Sequence, residues 1–472
     1  MKVILINLGL RKPMYPLATP PMGIMYLAGY LRQQIKDIEI KLINQKVKND
    51  SPEDLVKTIY EFAPEIVGLS SSTVFAALIP EIVSKIKEVL PESWVVLGGP
   101  HASSVRKQAL NECNGLDIVV PGEGEIAVKQ VVESYPDKNA LANISGLIWR
   151  DSSGEPIENP GPLPIEQDLD NLPFPAYDLI NVEDYWKLQS MTPIPPRRYL
   201  SLVTSRGCPY QCMWCHSIFG KKIRFSSPER ILEEINWLKN KYGVTEFEFL
   251  DDNFNFNRER VFKFSELVKN KNLKLKFSFP NAIRGDLVNE EVVEALCSMG
   301  TYMCSFALET GSPRMQKFTC KNLDIPKFLD GIEMMVKRGV YANGFCMMGF
   351  PTETEEELQM TIDIASNSML HTASFFTVIP FPGTPLFEWL KINRPEKLNN
   401  FNYMNIDFAG AKINLTDLPD EVLFNYQRKA NWVFFMNPNR IYRLLRVYPQ
   451  PLQLIRYLPI YLYRATKNLV VK

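Results

Sequence analysis

The stretch YLSLVTSRGCPYQCMWC, residues 199–215, decides the reading of this chain. Its first six residues, Tyr199–Thr204, alternate as a buried strand, and the segment that follows is a loop carrying Cys208, Cys212 and Cys215. Three thiolates on one loop can converge on a single centre. A structural zinc would call for a fourth Cys or His, and His216, adjacent to Cys215, is sterically a poor one. Three ligands on a 4Fe-4S cube instead leave one iron open to chelate a small molecule. At this point a zinc knuckle and an open cluster both stand. The other cysteines, Cys113, Cys297, Cys304, Cys320 and Cys346, are scattered, as small buried hydrophobes would be.

Working outward, residues 197–400 repeat the pattern of strand, turn and helix. Strands are predicted at Tyr199–Thr204, Phe247–Leu250, Leu273–Phe279, Tyr302–Leu308, Ala342–Met347 and Ser374–Ile379. Ser227-Pro228-Glu229 opens a helix that Gly243 closes. Six such units predict a partial (β/α)6 barrel with its chemistry at the strand C-terminal ends. Residues 1–135 also alternate, with strands predicted at Val3–Ile6, Ile38–Leu42, Ile66–Ser70, Trp94–Gly98 and Asp117–Val120. Ser51 ahead of Pro52 reads as a helix N-cap. The expected fold is therefore an α/β one: a doubly wound, Rossmann-like parallel sheet followed by the barrel. Prolines crowd residues 136–196, which read as a linker holding one hairpin around Asp151–Gly154. Residues 401–472 read as a C-terminal helical, basic region.

The cysteine loop resembles that of the radical S-adenosylmethionine superfamily, whose Cys-x3-Cys-x2-Cys signature has an aromatic before the last cysteine, here Trp214. The resemblance implies that Cys208, Cys212 and Cys215 ligate a 4Fe-4S cluster whose open iron binds S-adenosylmethionine. Reductive cleavage then gives a 5′-deoxyadenosyl radical that removes hydrogen from substrate. Later segments match as well. FLDDNF (249–254) sits where relatives receive the methionine amino group, making Asp251, Asp252 and Asn253 candidates. FALETGSP (306–313) offers Glu309 to the ribose. Arg284 in NAIRGD, Met347 in GFCMMGFP and Pro380 in VIPFPGTP fall where relatives line the cofactor or shape the barrel mouth.

The first domain is similar to the cobalamin-binding domain found ahead of the barrel in cobalamin-dependent members, the group of class B methylases and anaerobic cyclases. The matching pieces are PPMGIMYLAGYLR (20–32), GLSSST (68–73), VVLGGPHAS (95–103) and DIVVPGEGE (117–125). There is no Asp-x-His-x-x-Gly motif, so the resemblance implies cobalamin bound without an axial protein histidine. Ser70, Ser71, Ser72 and Thr73 would line the lower corrin face or the nucleotide tail, and Gly98, Gly99, Gly122 and Gly124 would let the backbone approach it. Glu123 and His101 complete the candidates, His101 as a turn-fixing residue or a contact to the nucleotide arm. Methylcobalamin opposite a substrate radical implies methyl transfer to an unactivated carbon. Oxidative cyclisation or ring rearrangement on the same architecture is the alternative. A methylthiotransferase acting on RNA would bring three more cysteines in its first domain, where this chain has only Cys113. A corrin sensor with a structural cluster would release no 5′-deoxyadenosine.

Composition agrees with a multidomain globular enzyme: 472 residues, 46% apolar, 53 basic against 53 acidic side chains. Zero net charge argues against a nucleic-acid partner. Eight cysteines are too few for a disulfide framework and fit a reducing compartment. Val3–Leu10 is interrupted by Asn7 and lacks a cleavage pattern, so a strand is expected there and not a signal peptide. Residues 426–472 hold nine Lys/Arg and no Asp/Glu. Arg440, Arg443 and Arg446 recur at helical spacing beside Tyr442 and Leu445, an arrangement that suits either a helical pair packed on the barrel, its arginines pairing with the acidic body, or peripheral contact with anionic lipid. The expectation is a cytoplasmic enzyme, touching the inner membrane face through this tail. Its substrate would be a small or lipid-like molecule, and a flavodoxin- or ferredoxin-type donor would supply electrons.

Overall fold

A computed structural model describes residues 1–11, 16–194, 197–399, 403 and 413–454. The first sheet is built from β1 (Lys2–Asn7), β2 (Glu39–Asn44), β3 (Ile66–Ser70), β4 (Trp94–Gly98), β5 (Ile118–Val119), β6 (Ile148–Arg150) and β7 (Pro156–Glu158), in the order β2-β1-β3-β4-β5-β6-β7. The first five are parallel. Their near-continuous apolar runs are covered on both faces, by Ile4, Val67 and Leu97 with one set of helices and Val3, Leu5 and Val96 with the other. The hairpin anticipated in the proline-rich stretch forms β6 and β7. It extends this sheet by antiparallel pairing, so the segment is partly domain and not only linker.

The second sheet follows a short antiparallel pair, β9 (Ser205–Arg206) with β10 (Arg224–Phe225), that flanks the cysteine loop. It comprises β8 (Leu200–Leu202), β11 (Glu246–Phe249), β12 (Lys276–Ile283), β13 (Thr301–Glu309), β14 (Tyr341–Met348) and β15 (Thr372–Thr377). All pair in parallel in the order β15-β14-β13-β12-β11-β8, giving six strands open between the first and the last. Outward side chains such as Phe247, Phe277, Phe306 and Phe375 pack with helix residues Ile235, Val261 and Ile332 into the largest core. The helix signals read from sequence operate as expected. Ser51 Oγ accepts the Asp54 N–H at 3.1 Å, Ser227 Oγ accepts that of Arg230 at 3.1 Å, and Gly243 closes its helix at φ +67°.

The helix Met22–Gln34 joins the two halves: Ile24, Ala28 and Leu31 face the first sheet, while Met22, Met25 and Tyr26 enter the barrel core. The Tyr26 hydroxyl donates to the Val203 carbonyl at 3.0 Å, and Tyr177 from the proline-rich stretch donates to that of Ser201 at 2.6 Å. In the tail, Pro438–Val447 is helical as expected, but the placement of Arg440 corrects the reading of a basic lipid-facing stripe. Its guanidinium is buried and donates to the carbonyls of Leu370, Phe434, Ala365, Ser366 and Ser368. The second tail segment expected to touch lipid, beyond residue 454, lies outside the described residues. Among the described residues no helix is long and apolar enough to cross a membrane.

Candidate active site: a cysteine loop facing a glycine-edged sheet

The cysteine loop leaves β9 through Gly207, whose φ of +93° and whose Cα, where a Cβ would lie 2.5 Å from the Lys222 carbonyl, require glycine. The Cys208 N–H donates to the Gly220 carbonyl at 3.2 Å, that of Met213 to Thr319 at 3.0 Å, and the Met213 carbonyl accepts from Leu386 at 2.8 Å. These bonds fix the loop at the mouth of the barrel. Trp214 packs on Phe350 at 5.3 Å between ring centroids, in one apolar cluster with Met213, Met347 and Val378. Trp214 and Met347 are thus brought together. Pro380 lies two residues past Val378, and its carbonyl accepts from the Tyr403 hydroxyl at 2.8 Å.

Cys208 and Cys212 are half-buried, and burial raises both thiols. The charges felt by Cys212 are those of Lys321, Glu309, Arg284 and Cys208, and Cys208 feels Asp252, so these candidates converge on the loop. Among the described residues no three His, Cys, Asp or Glu side chains are gathered tightly enough for one metal ion. A cube that takes each thiolate on a separate corner does not require that crowding. Three cysteines without a fourth ligand suit a 4Fe-4S cluster with one open iron and not a closed tetrahedral zinc site.

Glu309 ends β13 at φ +62°, an unfavourable conformation for a non-glycine residue, and is buried with its carboxylate 3.7 Å from Lys321 Nζ. Burial makes Glu309 a weaker acid than usual, and Lys321 opposes that. Past the end of β11, the Asp251 Oδ2 and Asn253 Oδ1 atoms are buried with no hydrogen-bond partner within the protein. Orphaned acceptors past the end of β11 and a strained carboxylate at the end of β13 fit a polar ligand such as the ammonium and ribose groups of S-adenosylmethionine.

Two candidates in this half also make bonds within the protein that the sequence did not foretell. Asp251 Oδ1 accepts from the Thr204 N–H and hydroxyl at 3.0 and 2.9 Å and from Ser205 Oγ at 2.5 Å, so half of its carboxylate bolts the entry of the cysteine loop to β11. Arg284 is committed to protein partners. It pairs with Asp286 at 2.8 Å, donates to the carbonyls of Lys321 and Asn322, and lies 3.9 Å over the Tyr210 ring. Asp252 remains exposed beside the loop.

In the first sheet, Asn7, Ser70 and Gly98 stand opposite one another in register along the C-terminal edge. A Cβ at Gly99, which has φ +82°, would lie 2.5 Å from Ser70 Oγ, whereas one at Gly98 or Gly122 would meet nothing closer than 3.5 Å. Small residues leave this edge open, and it is the crevice where doubly wound sheets of this order bind ligands. A bulky planar cofactor such as cobalamin fits it. His101 and Thr73 turn toward each other instead of outward, Nδ1 to Oγ1 at 3.3 Å, and the His101 N–H donates to the Ser71 carbonyl at 2.9 Å. His101 therefore fixes the turns, and burial lowers its ability to hold a proton.

Glu123 also departs from expectation. Its carboxylate pairs with Arg206 at 2.7 Å and with Arg224, while Glu125 pairs with Arg206 at 2.6 Å, all four side chains being buried. Arg206, Arg224 and Glu125 were not singled out from sequence, where partners about eighty residues apart carry no local signal. The position of Arg206, two residues before Cys208, was the one available clue.

A doubly wound sheet with an open glycine edge, set against a six-stranded barrel whose mouth carries three cysteines, defines a radical enzyme with two cofactor sites. The pattern of the radical SAM superfamily matches residues 202–365, and that of the B12 binding domain matches residues 15–132. An uncharacterized methyltransferase of Pyrococcus horikoshii is 32% identical over 422 residues, covering 89% of this chain and 88% of that one. Cytidylyl-2-hydroxyethylphosphonate methyltransferase of Streptomyces wedmorensis is 28% identical, over 82% and 80% of the two chains. The solved structure of the cobalamin-dependent S-adenosylmethionine radical enzyme OxsB shares the fold, with TM-score 0.73 at 18% identity over 94% of this chain and 70% of that one. The chain belongs to the radical SAM superfamily, in the group that carries an N-terminal B12-binding domain. It is a radical SAM enzyme, and its cofactors are a 4Fe-4S cluster, S-adenosylmethionine and cobalamin.

Proposed function

We propose that this enzyme transfers a methyl group to an unactivated carbon of a small molecule that presents an apolar portion to the barrel. The observation that carries the reading is that the cofactor edge of the first sheet abuts the barrel mouth. Arg206 beside the cysteine loop pairs with Glu123 and Glu125 of the PGEGE turn. A Cβ at Gly122 would lie 3.5 Å from the Ile218 carbonyl, and one at Gly383 would lie 3.0 Å from the Ser104 backbone. Both strand-end sites therefore open toward one space. The most similar relatives named above are methyltransferases, which supports methyl transfer over cyclisation.

When bound, the cluster with S-adenosylmethionine supplies a carbon radical and the corrin supplies the methyl group. The chain does the rest. Cys208, Cys212 and Cys215 would hold the cluster, while Glu309, Asn253 and Asp252 would orient the sulfonium compound. Side chains on the strand faces opposite the main core line the upper barrel: Ala307, Phe345, Met347, Ser374 and Phe376, each half-buried. Such a wall would exclude water from a reactive radical and favour an apolar acceptor. The lower barrel is closed by the buried Glu248, which accepts from Ser190 at 2.6 Å and pairs with Arg197 at 2.6 Å. An external one-electron donor of the flavodoxin or ferredoxin type would reduce the cluster.

The test is anaerobic reconstitution with trideuteromethyl-labelled S-adenosylmethionine and candidate small molecules. The expected result is 5′-deoxyadenosine together with a trideuteromethylated product. Cys212→Ala is expected to bring both to background while corrin binding persists. Normal turnover by that variant, or unlabelled product from wild type, overturns the proposal.

A further inference from the structure

Among the described residues thirteen large apolar side chains are exposed, and seven of them lie between Trp432 and Leu452. In the helix Asp420–Phe435, Leu423, Ala430 and Phe434 enter the barrel core, whereas Trp432 and Val433 face away from it and Met436 follows in the turn. In the helix Pro438–Val447, Arg440 is buried against the carbonyls that end the helix Glu355–Asn367, and Arg443 points the same way, its Nη2 3.5 Å from the Ser368 carbonyl. The opposite side of that helix is left with Ile441, Tyr442 and Leu445, spaced as one helical face, and Leu452 comes shortly after. Two of the three arginines thus hold the barrel, and what faces outward is mainly apolar. Leu452 is 81% exposed, Tyr442 62% and Trp432 59%, so these side chains protrude and do not line a groove.

Large apolar side chains gathered on one exposed face mark a surface that something else covers. Charge selects the occupant. From Tyr426 to Leu454 there are five Lys/Arg and no Asp/Glu, and the exposed Arg446 lies 5.7 Å over the Tyr442 ring. Protruding Trp, Tyr and Leu side chains with a cation among them and no acid compose an interfacial element, one that enters the boundary between headgroups and acyl chains. We propose that this face docks on the surface of a lipid bilayer carrying anionic headgroups, with Tyr442, Leu445 and Leu452 entering the acyl boundary and Arg446 among the phosphates. The place of the face in the fold assigns its task. Tyr448, just past the same helix, packs 6.2 Å from Tyr341, the first residue of β14, and Arg440 donates to the Leu370 carbonyl ahead of β15. The face therefore sits at the N-terminal ends of the barrel strands, opposite the mouth that carries the cysteine loop. Docking anchors the enzyme with its mouth turned away from the bilayer, and it does not depend on the cofactors.

The test sediments full-length protein with vesicles of phosphatidylcholine alone and of phosphatidylcholine mixed with phosphatidylglycerol. Wild type is expected to bind the mixed vesicles more tightly. Tyr442→Ser combined with Leu445→Ser is expected to weaken that binding about tenfold, because less apolar surface enters the bilayer. Arg446→Gln is expected to weaken binding to the mixed vesicles about fivefold and to leave binding to phosphatidylcholine alone unchanged. Thermal melts that match wild type establish that the variants fold, and Leu452→Ser reads the same contact if the double variant does not. Failure of wild type to bind either vesicle, or equal binding by wild type and the folded apolar variants, overturns the proposal. Sedimentation velocity without lipid covers the other occupant: self-association of wild type that the double variant abolishes would make this face an interface between copies of the chain, and would also overturn it.

Discussion

Glu353, in the GFPTE turn after β14, is buried among the residues that hold the barrel mouth. Its Oε2 accepts the N–H groups of Gly349 and Phe350 at 2.7 and 3.1 Å, and Phe350 is the ring on which Trp214 packs. Burial pushes this acid from 4.5 up to about 8. The folded chain thus binds the proton more tightly than the unfolded one. The stabilisation is full below about pH 4.5 and is lost as pH rises toward 8. At about 1.4 kcal/mol per pH unit the loss is bounded by roughly 5 kcal/mol. Urea melts should show stability falling between pH 5 and pH 9 in wild type and a flatter profile in Glu353→Gln; parallel profiles would refute the assignment. The same scale shows where sequence reading ends. Cys208, Cys212, Cys215 and Trp214 were legible as candidates because the role proposed for them is encoded in spacing along one loop. For Asp251, Arg284 and Glu123 the protein contacts were not foreseen, because a polar residue at a strand end looks the same whether it faces a ligand or satisfies the protein. Only partners distant in sequence, such as Thr204 for Asp251 and Arg224 for Glu123, distinguish the two.

At the level of elements, periodicity placed most strands of the two large sheets and caps placed the helices after Ser51 and Ser227, because parallel strands buried on both faces and capped helices each leave a local pattern, whereas the short pair β9 and β10 leaves none. The tail was less legible: its arginines were expected either to pair with the acidic body, in a helical pair packed on the barrel, or to face lipid. In the structure, Arg440 instead closes the end of the helix Glu355–Asn367, donating to the carbonyls of Ala365, Ser366 and Ser368 at 3.3, 2.8 and 3.1 Å. A cation at a helix C-terminus is favoured by the exposed carbonyls and the macrodipole, which offsets part of its burial. Its guanidinium also lies 3.6 Å over the Phe434 ring, joining the last two described helices to the barrel. Arg440→Met should leave several buried carbonyls without donors and cost about 3 kcal/mol or more. Arg446→Met, on the exposed side of the same helix, should cost less than about 0.5 kcal/mol. Denaturant midpoints compare the two directly, and equal effects would return Arg440 to the role of a surface charge.

For the whole molecule, the decisive feature is that a neutral quartet of buried charges spans the two sheets. Arg206 and Arg224 flank the cysteine loop on β9 and β10, and Glu123 and Glu125 occupy the turn after β5. On the proposed function, radical formation and methyl delivery would fall to different domains, so their coupling would depend on how rigidly the domains are held. Arg206 is the hub. It bonds both carboxylates and lies 5.1 Å over Tyr26, in the helix that bridges the two cores. Removing one partner of a buried pair strands its counter-charges, at a cost of about 3–5 kcal/mol, whereas removing charge from both sides costs less. Arg206→Gln should therefore destabilise the protein more than Arg206→Gln combined with Glu125→Gln, a non-additivity that a double-mutant cycle measures. The functional counterpart separates positioning from chemistry. In Arg206→Gln reconstituted with cluster and corrin, 5′-deoxyadenosine should still form while methylated product falls more steeply, so that their ratio rises severalfold over wild type. A variant in which both products decline in proportion would mean that the quartet only stabilises the fold and does not hold the two half-sites in register.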